Sequence, residues 1–295
     1  MDDRGSGSRA RVLASYLVFP ALMLGPPAAG WLAWSRGAPR LAILLGCLGG
    51  CLAVQLVLER VMPYRREWNA RKRVGEDLTC MGLNAITQQL VDIVITSSIY
   101  LVAAALTDTI GSTLWPTSWP LLVQLGMAVL VADLGHYVAH RMLHGVPRLW
   151  AFHQMHHSPN SLDSLNFFRM HPLDIVLKSV TNVVPLILLG VPAGVLLMWM
   201  IASGISAGSL NHANIEMRTG WLDGVLSTPH LHRFHHSRRH AESRCNLGNI
   251  TVIYDRLFGT YCRPPGRGVD EVGEPSGARP LAVELLQPLT RRWRG

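Results

Sequence analysis

Long apolar runs separated by short polar connections give this chain its framework. Runs long enough to cross a hydrocarbon core, roughly 20 residues each, cover residues 12–34, 41–61, 85–106 and 121–140. A fifth and longer run, 174–210, is interrupted by Gly190, Val191 and Pro192. Gly and Pro punctuate a chain at turns, so this run predicts a helical hairpin that enters the membrane and returns. The first run follows Arg4, Arg9 and Arg11 and contains Ala28-Ala29-Gly30, as a signal peptide would. Its apolar stretch exceeds the ~7 to 15 residues of a signal core and other runs follow it, so it reads as a retained span. The pattern predicts an all-α, integral-membrane helical bundle of about four spans plus a membrane hairpin.

Composition agrees with that class. The chain is 49% hydrophobic and only 16% charged, with a mean hydropathy of +0.22. Orientation follows from Lys and Arg in the short connections, which are retained on the cytoplasmic side. The connection after the second span carries Arg60, Arg65, Arg66, Arg71, Lys72 and Arg73, whereas residues 107–118 contain no Lys or Arg. Arg36 and Arg40 in the first turn weaken the asymmetry slightly. The N-terminus, the basic connection and everything after the fourth span are therefore expected in the cytoplasm. The net charge of +8 is accounted for by this topology and by anionic headgroups, without a nucleic-acid partner.

Five cysteines, none in a Cys-x-x-Cys pair, fit a reducing compartment and argue against a cysteine-held zinc or iron-sulfur site. Any metal must be held by histidine. All thirteen histidines lie between His136 and His240. At the end of the fourth span, Asp133, His136, His140 and His144 follow at spacings of three, four and four, which keeps them on one helix face. A carboxylate inside an apolar helix is costly unless paired, so Asp133 is expected to accept a hydrogen bond from a histidine and fix its ring. His153-x-x-His156-His157 and His232-x-x-His235-His236 each place three imidazoles on one side of a helix. With His212 these clusters offer nine histidines, more than the four protein ligands of one tetrahedral zinc and enough for two metals. Imidazole suits iron, zinc, copper and nickel. The His-Glu-x-x-His arrangement of zinc peptidases is absent, with Arg141 where its glutamate would stand.

The chain resembles the fatty acid hydroxylase and sterol desaturase superfamily of membrane di-iron oxygenases. The resemblance rests on Asp133 followed by His140-Arg141-x-x-His144, on His153-Gln154-x-His156-His157-Ser158, on Arg169-x-His171-Pro172, and on His212 with Asn214. It continues through Thr228-Pro229-x-x-His232-x-x-His235-His236, Asn246-x-Gly248 and the run Asp255 to Thr260, with weaker agreement from Glu59-Arg60-x-x-Pro63. It implies membrane helices capped by a cytoplasmic histidine-rich di-metal site. That site would use O2 and two external electrons to hydroxylate or desaturate an unactivated C–H position of a lipid: a sterol, fatty acyl chain, ether lipid or carotenoid.

The metal ligands expected are His140, His144, His153, His156, His157, His212, His232, His235 and His236, with two iron ions as cofactor. Asp133, His136, His171, Asn246 and Asp255 are expected around them, and His230 and His240 outside. Arg141 and Arg233 read either as ordinary cytoplasmic-face charge or as contacts for an anionic lipid or a reductase. Lacking a Gly-x-Gly-x-x-Gly dinucleotide turn in a strand-to-helix context and a cysteine set for an iron-sulfur cluster, the chain implies an external electron donor, a reductase, ferredoxin or cytochrome. The expected organisation is a cytoplasmic arm over 1–11, membrane helices over 12–139, a histidine region over 140–262 that includes the hairpin, and a Pro/Gly-rich flexible linker and tail over 263–295. Two rivals remain at this level, a membrane zinc hydrolase and a transition-metal binding or transport protein. A transporter needs ionisable residues through the bilayer midplane, and Asp92 is the clear candidate there.

Overall fold

A computed structural model describes residues 9–70 and 73–290, with the backbone alone at 205 and 206. Arg4, Arg71, Lys72 and Trp293 lie outside the described residues. The chain is all-helical: the described residues form no strand, only isolated bridges. Helix α1 (Arg9–Ser35) turns at Gly37, whose φ of 80° needs glycine, into α2 (Arg40–Val61). Helix α3 (Val74–Val91) runs through a π-helical turn at Asp92–Thr96 into α4 (Ser97–Ile110). The combined rod has 37 residues and begins eleven residues before the expected span. The reason is local. Glu76 and Asp77 are acidic in its first turn, favourable at a helix N-terminus, so the polar lead-in is helical as well.

Helix α5 (Leu121–Gly145) is followed at once by α6 (Pro147–His157), then by the hairpin of α7 (Pro172–Leu188) and α8 (Ala193–Ile201). The hairpin turns where expected, with Gly190 at φ 78° and Pro192 as the N-cap of α8. A π-helical stretch, Ala202–Ser209, carries α8 into the short α9 (Leu210–His212). Four further short helices follow: α10 (Pro229–His235), α11 (His240–Ser243), α12 (Ile253–Leu257) and α13 (Leu281–Thr290).

Among the described residues, five helices are long and apolar enough to span: Arg9–Ser35, Arg40–Val61, Val74–Ile110, Leu121–Gly145 and Ala193–His212. Their outer faces carry exposed apolar side chains such as Leu101 and Leu122, 75% and 80% exposed. Water would penalise such surface and lipid does not. Helices α5 and α7 meet at Gly135: a Cβ there would stand 1.9 Å from the Thr181 carbonyl oxygen.

Above one end of the bundle a cap gathers residues from far apart in sequence. Residues 62–65 pair with 214–216: Tyr64 N–H donates to Asn214 O and Glu216 N–H to Met62 O. Buried Glu59 accepts from Ser164 N, Ser164 Oγ and Asn214 N. The Pro/Gly-rich segment after Cys262, expected to be a flexible linker, is instead part of this cap. Val269 and Val272 are buried with Trp68, Leu162 and Phe234. A segment without its own ladder leaves carbonyls to be satisfied. Arg65 donates to Asp270 O and Val269 O, and Arg73 to Arg279 O and Ala278 O. Helix α13 is fastened by fully buried Arg169, which bonds Glu284 as well as Glu76 and Asp77. The basic connection after α2 and the C-terminal segment thus lie on the same side of the bundle.

Candidate metal centre

Short helix starts place the histidines. Pro147 and Pro229 stand at the first turns of α6 and α10, where the missing N–H costs nothing. Thr228 caps α10 by accepting from Leu231 N. Each His-x-x-His-His box therefore falls at the C-terminal end of a short helix facing the end of α5, which supplies His140 and His144. His212 ends α9.

All nine expected ligands converge, and they sort into two groups. His140, His144, His153, His157 and His235 form the first; His156, His212, His232 and His236 form the second, with the candidate ligand atoms of each group within 4.8 Å of one another. Successive helical residues point about 100° apart, since 3.6 residues make a turn. Each consecutive pair, His156-His157 and His235-His236, is accordingly divided between the groups. The groups abut: the rings of His157 and His236 stack at 4.2 Å.

Hydrogen bonds outside the groups orient the rings. His140 Nδ1 donates to Leu247 O at 2.9 Å, His235 Nδ1 to Cys245 O at 2.8 Å and His153 Nδ1 to Asp174 Oδ2 at 2.6 Å. His212 Nδ1 lies 3.2 Å from Asn166 Oδ1. A ring whose Nδ1 holds the hydrogen presents a lone pair at Nε2, the form a metal needs. The Nε2 atoms of His144, His157 and His235 are buried and have no hydrogen-bond partner, and those of His140 and His153 face each other at 3.0 Å. Nitrogens converging in this way without a donor between them fit a cation. Outside the spans, burial is the main cause holding the imidazoles of His153, His156, His157, His232, His235 and His236 below the ordinary histidine range, which keeps them neutral. The donor set, imidazole alone and in excess of one metal's needs, suits two ions of the iron or zinc type.

Comparison with known proteins agrees with this geometry. The fatty acid hydroxylase family pattern matches residues 125–260. An ornithine lipid hydroxylase of Rhizobium tropici is 34% identical over 98% of this chain and 88% of its own length. The chain belongs to the fatty acid hydroxylase superfamily. A human alkylglycerol monooxygenase is 31% identical over 45% of the chain and 29% of its own length. A putative Delta(7)-sterol-C5(6)-desaturase of Arabidopsis thaliana is 25% identical over 52% and 53%. No solved structure matches. The region matched by the hydroxylase pattern contains all nine histidines of the two groups.

The surroundings of the two histidine groups differ in part from the sequence-based expectation. Asp133 holds no histidine: its carboxylate accepts from Ile250 N and Thr251 N. It shares the face of the histidine row but reaches a loop that crosses it. Asp255 secures the same loop by accepting from Leu247 N, Gly248 N and Thr260 Oγ1. Asn246 sits at φ 56° between the two carbonyls, of Cys245 and Leu247, that hold His235 and His140. Asp133, Asn246 and Asp255 therefore act through the loop. His171 is no ligand, because Nδ1 caps α7 at Leu173 N and Nε2 donates to Leu285 O. His136 packs edge-on against His140 and lies 3.5 Å from Asn182 Nδ2, outside both groups. His230 packs on Phe234, and His240 is exposed on α11.

Arg233 is neither surface charge nor a lipid contact. It is buried, donates to Ala213 O and Ile215 O and lies 3.8 Å from the Tyr64 ring centroid; burial lowers its guanidinium to about 10. Arg141 is exposed and donates to the Tyr137 hydroxyl at 3.0 Å. Four contributors escaped sequence reasoning: Asp174, Asn166 and the backbone carbonyls of Cys245 and Leu247. Asp174 carried a usable signal, a carboxylate at the polar start of an apolar run.

Proposed function

We propose that this chain is an O2-dependent oxygenase that hydroxylates an unactivated C–H position of a membrane lipid at two irons, with electrons from an external reductase, ferredoxin or cytochrome. The observation that carries this reading is the division of nine converging histidines into two abutting groups. When bound, an iron pair supplies with O2 the oxidising power that side-chain acids and bases lack.

The chain's own residues would prepare that chemistry. The first group is held by Leu247 O, Cys245 O and the Asp174 carboxylate, which fix the rings through Nδ1. Lys178 pairs with the other Asp174 oxygen at 3.1 Å and offsets its buried charge. In the second group His212 is held by Asn166. Burial of eight of the nine rings, with His144 partly exposed, excludes bulk water from the nitrogens. The basic connection beside the cap supports a cytoplasmic site.

The relative aligned along nearly the whole chain is, by its name, an ornithine lipid hydroxylase, so an amino-acid-headed lipid is the substrate class to test first. Cells producing ornithine lipid, with and without this chain, are grown in air and their lipids compared by mass spectrometry. Gain of one oxygen atom, absent without O2 and absent with His235→Ala, is expected. Loss of two hydrogens would mean desaturation, and an unchanged lipid profile with zinc as the bound metal would favour a hydrolase.

A further inference from the structure

The loop that carries the two histidine-holding carbonyls also carries a pair of thiols. Asn246 accepts a hydrogen bond at its side-chain oxygen from Cys262 N (2.9 Å) and donates from Nδ2 to Cys262 O (2.8 Å), while its own N–H donates to Thr260 O. Cys245 and Cys262 are thereby held beside each other on adjoining segments of chain. Both are free and partly exposed, whereas Cys47, Cys51 and Cys80 lie within spans. Cys245 also donates to Ala241 O at 3.4 Å, which leaves Cys262 the less engaged sulfur.

We propose that Cys245 and Cys262 form a reversible disulfide, a modification site for hydrogen peroxide. The Cys262 sulfur attacks one peroxide oxygen; an S–O bond forms, the O–O bond breaks and the departing oxygen leaves as water with the thiol proton. The Cys245 sulfur then displaces that oxygen from the sulfenic acid, the S–S bond forms, and a second water carries off the Cys245 proton. Two thiols are oxidised, one peroxide is reduced, and an external dithiol reverses the change. Closure repositions Cys245, whose carbonyl holds His235, so metal retention in the first group falls. That coupling rests on the ligand set proposed above; the disulfide itself does not.

The test exposes the full-length protein in lipid nanodiscs to hydrogen peroxide, maps cross-linked peptides by mass spectrometry, and measures metal retained against a chelator before and after dithiothreitol. The expected result is a 245–262 linked peptide that dithiothreitol removes, with metal retention falling by ~10-fold and recovering. Cys262→Ser should form no link and retain metal under peroxide. Absence of the linked peptide when exposed thiols are otherwise oxidised would overturn the disulfide. Equal peroxide-driven metal loss in Cys262→Ser would overturn its coupling to His235, whatever the metal proves to be.

Discussion

Asp174 is the carboxylate that the histidine row pointed to and the sequence misplaced. Periodicity put Asp133 on the face of His140 and His144, and a charged group there needs a partner, but periodicity says nothing of which loop crosses that face. The partner is the backbone of Ile250 and Thr251, and the acid on a histidine comes from the next helix hairpin. Asp174→Asn should lower metal affinity by ~10 to 100-fold with little loss of folded protein, measured as chelator competition; unchanged affinity would remove Asp174 from the support of His153. The burial of the rings sets a pH dependence. Burial first, then His153 nearby, holds His235 at about 3, against an ordinary 6.5. The unfolded chain takes up its proton first as pH falls, so stability is complete above about 6.5 and is lost toward about 3. Metal-free protein should melt at a lower temperature at about pH 5.5 than at about pH 7.5, and a midpoint independent of pH would contradict neutral burial.

At the scale of elements, spans and the hairpin were legible because an apolar run of membrane length is a local property. The ordered C-terminal segment was not, since it depends on Arg169, Arg65 and Arg73 meeting partners remote in sequence, and the start of α3 was missed because its polar first turn lies outside the apolar run. The nine histidines were likewise legible from spacing, but their division into five and four depends on how the ends of α5, α6, α9 and α10 meet. Helix position should therefore matter as much as ligand identity. Gly135→Ala drives a Cβ toward the Thr181 carbonyl, and pushing α5 from α7 should cost ~1–3 kcal/mol or more. It should also part His140 from His153, whose Nε2 atoms lie 3.0 Å apart. A lower unfolding temperature with reduced metal content is expected; wild-type values for both would mean the helices separate freely.

For the whole molecule, the cap gathers the basic connection, the two metal groups and the C-terminal segment at one end of the bundle, so their sidedness is a single question. Single cysteines at Ser112 and Ser276 in a cysteine-free background answer it with an impermeant maleimide. Ser112 should label in intact cells and Ser276 only after lysis; the reverse would place the cap outside. Metal stoichiometry bears most directly on the central claim, that nine histidines hold two irons. Protein loaded with ferrous iron under reducing conditions is assayed by elemental analysis for wild type, His235→Ala from the first group, His156→Ala from the second, and exposed His240→Ala. Wild type and His240→Ala should carry about two irons per chain, and each of the other two about one or fewer. Two irons retained in both His235→Ala and His156→Ala, or one tightly held zinc in wild type, would contradict the account.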